Sequence, residues 1–150
     1  MQAYREGCLN ATTLYPGMPD VLNRLHRAGI PMAVLSNKPH EFTLRVVAAL
    51  CHPEWFAVVR GVMDESERKP SPSLALHVAG TLDRSPSKIF LIGDSPGDIA
   101  TAHASGMKSV AVTWGFRDRD VLQDARPNWI VDRPEQLLEI PELGASMWRD

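Results

Sequence analysis

The sequence is sparing in several residue classes, and each scarcity narrows what the chain can do. Only two cysteines, Cys8 and Cys51, occur in 150 residues, and their placement matches no metal-ligand spacing. Nothing supports a disulfide between them, so both are expected to be buried thiols in a reducing compartment. His26, His52, His77 and His103 are scattered with no metal spacing either. Aromatic residues are 7% of the chain, and Trp55, Trp114, Trp129 and Trp148 are not interleaved with basic residues. They read as core or rim residues rather than a stacking platform for bases. Charge of either sign is not in excess: the formal net charge is -2. That leaves no global basic field for nucleic acid or an anionic membrane. No apolar run approaches the roughly 20 residues needed to span a bilayer. The opening MQAYREGCLN lacks the apolar centre of a signal peptide. A cytoplasmic protein without nucleic-acid or membrane partners is the expectation.

What is present is an ordinary hydrophobic fraction of 44%, enough for one core in one domain. Short apolar runs at 30–37 (IPMAVLSN), 56–61 (FAVVRG), 88–94 (KIFLIGD) and 109–115 (SVAVTWG) read as strands, the first in the manner of a strand buried on both faces, with a short fifth at 128–132. Between them, 20–28, 40–50, 73–82, 96–105 and 133–140 carry helical periodicity, and Pro16-Gly17 marks a turn ahead of the first. Strands alternating with helices predict an α/β domain with a mostly parallel sheet. Ligands of such sheets collect at the carboxyl ends of the strands. Three polar signatures fall there: Ser36-Asn37-Lys38 after the first strand, Arg68-Lys69-Pro70 beyond the second, and Gly93-Asp94-Ser95-Pro96-Gly97-Asp98 after the third.

Each signature has a chemical and a bland reading. Asp94 closes a strand and Asp98 lies in the first turn of the next helix, so both carboxylates can face one point. Hard oxygen ligands in a polar loop suit Mg²⁺, which keeps several waters and takes few protein carboxylates. The bland reading is capping, with Ser95 or Asp94 as N-cap and Asp98 favouring the positive helix end. Ser36 and Asn37, followed by a helix, supply a hydroxyl, an amide and backbone N–H groups suited to an anion; an N-cap turn is the alternative. Lys38 and His40 nearby read as solvated. Lys69, in a polar loop fixed by the prolines at 70 and 72 that follow it, could neutralise a phosphate over the sheet's end. Arg68 competes for that role.

In this order, "SNK", "RKP" and "GDSPGDIATAHASGM" resemble the second, third and fourth motifs of the haloacid dehalogenase-like hydrolases. "YPGMPDVLNRLHRAGIPMAVLSNKP" and "VAVTWGF" are similar to the phosphoglycolate phosphatase branch in particular, and the resemblance covers about residues 14 to 140. It implies a three-layer α/β/α Rossmann-like core. It implies that Ser36 and Asn37 bind the transferring phosphoryl group and that Lys69 balances its charge. It also implies that Asp94 holds Mg²⁺, with Asp98 supporting. Phosphoryl transfer is mostly positioning and charge neutralisation, which this inventory suits.

One part of the family pattern does not appear. The first motif is an apolar strand ending in Asp-x-Asp-Gly-Thr. Its first aspartate attacks phosphorus to form an aspartyl-phosphate, and its second is the general acid and base. The one Asp-x-Asp here, Asp118-Arg119-Asp120, follows no apolar strand and precedes no Gly-Thr. It reads as a solvated loop leading into a helix. The chain is therefore expected to be a C-terminal portion, with residues 1–13 a remnant of the helical cap or a linker and 14–150 a partial core. It would be inactive alone, would need the missing N-terminal segment in cis or in trans, and would act with it on a small phosphorylated metabolite. A non-catalytic phosphate- and metal-binding domain, or a fragment of a related phosphomutase or pyrophosphatase, are the alternatives. The absent strand would lie between the "AVLSN" and "FLIGD" strands. Those two are then expected to close up and pair, to take in another segment, or to leave the piece marginally stable.

Overall fold

The computed structural model describes residues 14–141 and Leu143. The expected cap remnant at 1–13, with Cys8, and Trp148 lie outside the described residues. Helix α1 (Met18–Arg27) leads into strand β1 (Ala33–Pro39), α2 (His40–Leu50) and β2 (Val58–Val62). A single 3₁₀ turn at Glu65–Glu67 precedes α3 (Ser73–Leu82), and a second at Pro86–Lys88 precedes β3 (Phe90–Gly93). Then come α4 (Pro96–Ser105), β4 (Lys108–Val112), α5 (Arg119–Asp124), β5 (Trp129–Val131) and a 3₁₀ segment at Pro134–Glu139. None of the described helices is long and apolar enough to cross a membrane.

Every strand pairing is parallel, and the strands form two sheets: β1 with β2, and β3–β4–β5 in that order. The expected parallel α/β core is thus present, in two pieces. β1 and β3 do not pair with each other, and among the described residues no strand lies between them. A cavity of about 450 Å³ separates them, lined by Val34 and Leu35 of β1, Leu91 and Ile92 of β3, and helix residues including Val46 and Val78.

The core follows the periodicity of the elements. On β4, Val110 and Val112 pack with Val21 and Leu25 of α1 and with Val131 and Leu137, while Ala111 turns to the other face against Ile99 and Leu122. Burial of each large side chain here stabilises the fold by about 1.5–3 kcal/mol. Ala75 and Ala79 of α3 meet Ala102 of α4, and these small residues let the two helices approach closely. Gly106, with φ +81°, ends α4 in the left-handed conformation that a side chain would strain.

Most strand boundaries differ by a few residues from the pattern in the sequence, and two differences have a clear local cause. β1 begins at Ala33 rather than residue 30. Pro31 offers no N–H to a ladder, and the Ile30 amide instead closes α1 on the Leu25 carbonyl. β1 also runs on through the polar residues to Pro39, with a register shift against β2 between Leu35 and Pro39. The helix expected at 133–140 is a 3₁₀ segment. Its Gln136 side chain folds back to accept from the Asp132 and Arg133 amides, which fixes a tight turn rather than a longer helix.

Candidate active site

The three polar signatures meet at the carboxyl ends of β1 and β3. Lys69 is the hub. Its Nζ donates to Asp98 Oδ1 at 2.6 Å and to the Leu35 carbonyl at 3.5 Å. Its backbone is braced by Asn37, whose Oδ1 accepts from the Lys69 amide at 2.7 Å and whose Nδ2 reaches the Lys69 carbonyl at 3.5 Å. A side chain on one strand end thereby fixes a lysine 32 residues away. Arg68, the competitor for the cationic role, turns instead to Glu65 and to the Asn37 carbonyl.

Asp98 is buried, and its carboxylate is fully engaged. Oδ1 takes the Lys69 ammonium, while Oδ2 accepts from the Asp94 amide at 3.1 Å and from Ser95 Oγ at 3.0 Å. Ser95 is the N-cap of α4 and accepts in turn from the Asp98 amide. The capping reading and the site reading thus coexist at this helix start. Two glycines make room for the carboxylates. A Cβ on Gly93 would fall 2.3 Å from the Asp98 side chain, and one on Gly115 would fall 2.2 Å from Asp94 Oδ2. Gly115 was not singled out by the sequence. Its signal was the "WG" that follows β4.

Asp94 differs from Asp98 in having no side-chain donor among the described residues. Burial raises its carboxyl above the ordinary carboxylate value, and the charge of Asp98 adds to the rise; its own backbone amide, and then the charges of Lys69 and Arg117, oppose it. The donor set suits a hard divalent cation such as Mg²⁺. One carboxylate is open, a second is held rigidly beside it, and Mg²⁺ uses only one or two protein carboxylates. Among the described residues no cluster of three or more His, Cys, Asp or Glu could enclose a metal alone.

The sign of the Asp94 effect on stability is fixed by that rise. Because folding favours the protonated form, the stabilising contribution is complete below the unfolded carboxylate range and is lost as pH rises through the folded value. Asp94→Asn should therefore stabilise the cation-free chain at pH 7 by about 0.5–1 kcal/mol, a modest gain because solvent screens a half-exposed carboxylate. At pH 4 the gain should shrink. Urea unfolding of both proteins at the two pH values checks this.

Ser36 and the start of α2 flank Asn37 at the end of β1. Ser36 Oγ accepts from the Lys38 amide at 3.1 Å, and among the described residues it has no hydrogen bond to Lys69, Asp94 or Asp98. No side chain caps α2, which leaves its first-turn amides suited to an anion. His40, read from sequence as solvated, is a tie: its Nδ1 accepts from the Gly61 amide at 3.0 Å. Lys38 lies 5.9 Å from the centre of the Phe42 ring. Asp118 and Asp120 stand apart, at the exposed start of α5, with no capping bond from Asp118.

Comparison with known proteins gives these residues a context. The family model for haloacid dehalogenase-like hydrolase matches residues 1–112. A phosphoglycolate phosphatase of Salmonella typhi is 35% identical over 141 residues, covering 94% of this chain and 55% of its own length. One from Escherichia coli K12 is 33% identical over the same length. A crystal structure from Lactobacillus delbrueckii, provisionally assigned as a phosphoglycolate phosphatase, superposes with a TM-score of 0.82 at 36% identity, over 91% of this chain and 56% of that one. The chain spans a little over half the length of the curated relatives it matches.

Proposed function

The chain belongs to the haloacid dehalogenase-like hydrolases, and from that premise we propose that it forms the phosphate- and metal-holding part of a phosphoglycolate phosphatase-like phosphomonoesterase. The reading rests on one observation above all: Lys69, Asn37, Asp98 and Asp94 converge where the carboxyl ends of β1 and β3, in two neighbouring parallel sheets, come together. The substrate is a small phosphorylated metabolite, and 2-phosphoglycolate is the first candidate because the similar curated proteins carry that name.

Each residue has a distinct task. Lys69 would hold its positive charge where a phosphoryl oxygen arrives, so that negative charge developing in transfer meets a fixed cation. Ser36 and the uncapped first turn of α2 would donate hydrogen bonds to the same group. Asp98 keeps Lys69 and the Asp94 backbone in place. Asp94 would hold Mg²⁺, which supplies charge neutralisation between phosphate and carboxylates. The nucleophilic aspartate would come from a segment that this chain does not contain. The slot between β1 and β3 supports that assignment, because an extended apolar segment there would end beside Lys69 and Asp94.

The test is an assay of the purified chain on an aryl phosphate and on 2-phosphoglycolate with Mg²⁺. It is run with and without a fused N-terminal segment bearing an apolar strand that ends in Asp-x-Asp-Gly-Thr. The chain alone should turn over neither substrate, and the fusion should hydrolyse both until the first aspartate of its motif is replaced by Asn. Mg²⁺-dependent turnover by the chain alone would refute the reading.

A further inference from the structure

The loop that carries Lys69 is tied down by a pair of residues outside the three polar signatures. Arg60 lies on β2, and its terminal nitrogen donates to Glu67 Oε2 at 2.9 Å. The other oxygen of Glu67, Oε1, accepts from the Met63 amide at 2.8 Å and the Asp64 amide at 3.3 Å. One carboxylate therefore fastens the root of the 63–69 loop to the strand before it. The two side chains are 14% and 20% exposed, so the contact is sheltered from solvent. Asp64 and Ser66 tighten the same turn through a further side-chain contact. Two residues beyond Glu67 the chain reaches Lys69, whose amide is taken by Asn37.

The pair is poorly explained as a device for stability. Arg60 Nε is buried with no hydrogen-bond partner. A buried ion pair with an unsatisfied donor gains little over well-packed apolar residues. What it does supply is reach and direction: a rigid, charged connection from a strand to a loop that has no packing core of its own.

We propose that Glu67, held by Arg60, is a positioning residue that fixes the loop carrying Lys69. This rests on the reading of Lys69 as the phosphate-facing cation, but its test is separable from that reading. Amide hydrogen exchange by NMR on the 150-residue chain is compared for wild type, Glu67→Ala and Glu67→Gln, together with the affinity for inorganic phosphate in Mg²⁺. In Glu67→Ala the Lys69 amide should exchange at least about tenfold faster, since local opening controls exchange. Amides of β3 and β4 should keep their protection, and phosphate should bind about tenfold more weakly. Glu67→Gln keeps an oxygen for the Met63 and Asp64 amides but turns an NH2 toward Arg60, so it should recover only part of both effects. Unchanged Lys69 exchange in Glu67→Ala would overturn the proposal, as would faster exchange spread evenly through β3 and β4, the mark of a merely structural role. If wild type binds no phosphate, the site reading fails while the exchange comparison still decides the clamp.

Discussion

Replacing Lys69 by Met should destabilise the chain by about 3 kcal/mol, within the range for removing one partner of a buried ion pair. The side chains of Lys69 and Asp98 are 13% and 9% exposed, and without the lysine Asp98 would be left with only the Asp94 amide and Ser95 as partners. The contrast is with Arg24 and Asp20 on α1, whose side chains are 63% and 64% exposed. Breaking that pair should cost only tenths of a kcal/mol. Two outcomes separate the Lys69 pair from a generic loss of packing. Asp98→Asn in the Lys69→Met background should recover part of the loss, giving a coupling of about 1–3 kcal/mol in a double-mutant cycle read by urea unfolding. In the fused, active form, Lys69→Met should lower turnover about 10²- to 10³-fold, the loss typical of removing a charge-stabilising group from a transition state. Additive stabilities would mean the 2.6 Å contact carries no net energy.

How far the sequence reaches is clearest at the helices that flank this pair. The bounds of α3 (Ser73–Leu82) and α4 (Pro96–Ser105) coincide with those expected, because their stops and starts are local chemistry. Proline stands at the N-terminus of α4 and glycine at its C-terminus, and apolar spacing fills the turns between. The alternation of strands and helices likewise declares a parallel α/β fold. Other features were not legible, since each depends on residues far apart in the chain. Nothing local to Lys69 says that its amide will meet Asn37, 32 positions earlier, or that its ammonium will find Asp98, 29 positions later. Residue type and spacing left Arg68 in competition with the lysine, and only the motif resemblance favoured Lys69. His40 is also set by a distant residue, its ring nitrogen spoken for by the Gly61 amide of the neighbouring strand. The sequence could name the ends of the strands as the place where ligands collect. The resemblance named Asp94 over Asp98 as the metal-holding aspartate, but no pattern in the sequence foretold the hydrogen bonds that occupy both oxygens of Asp98.

The largest change in stability is expected from filling the slot between β1 and β3. An empty apolar cavity costs about 24 cal/mol per Å³, so 450 Å³ would correspond to roughly 11 kcal/mol at most. That is an upper bound for a slot partly open to water, yet it equals the whole stability of an ordinary domain, about 5–15 kcal/mol. Two strand edges that pair with no strand on this side among the described residues add to the cost. A segment that enters as an extended apolar strand would pair both edges and cover Val34, Leu35, Leu91 and Ile92 together. Fusing such a segment ahead of the chain should therefore raise its unfolding free energy by about 3–5 kcal/mol, most of the bound being forfeited to the entropy of ordering the segment. The urea m-value should rise with it, because more surface becomes buried. A dye that reports exposed apolar surface should bind the chain and release when the segment is present. An unchanged melt, an unchanged m-value and no dye binding would mean that the two edges meet in solution without help. The requirement for a strand from outside this chain would then fall, and with it the placement of the nucleophile beside Lys69 and Asp94.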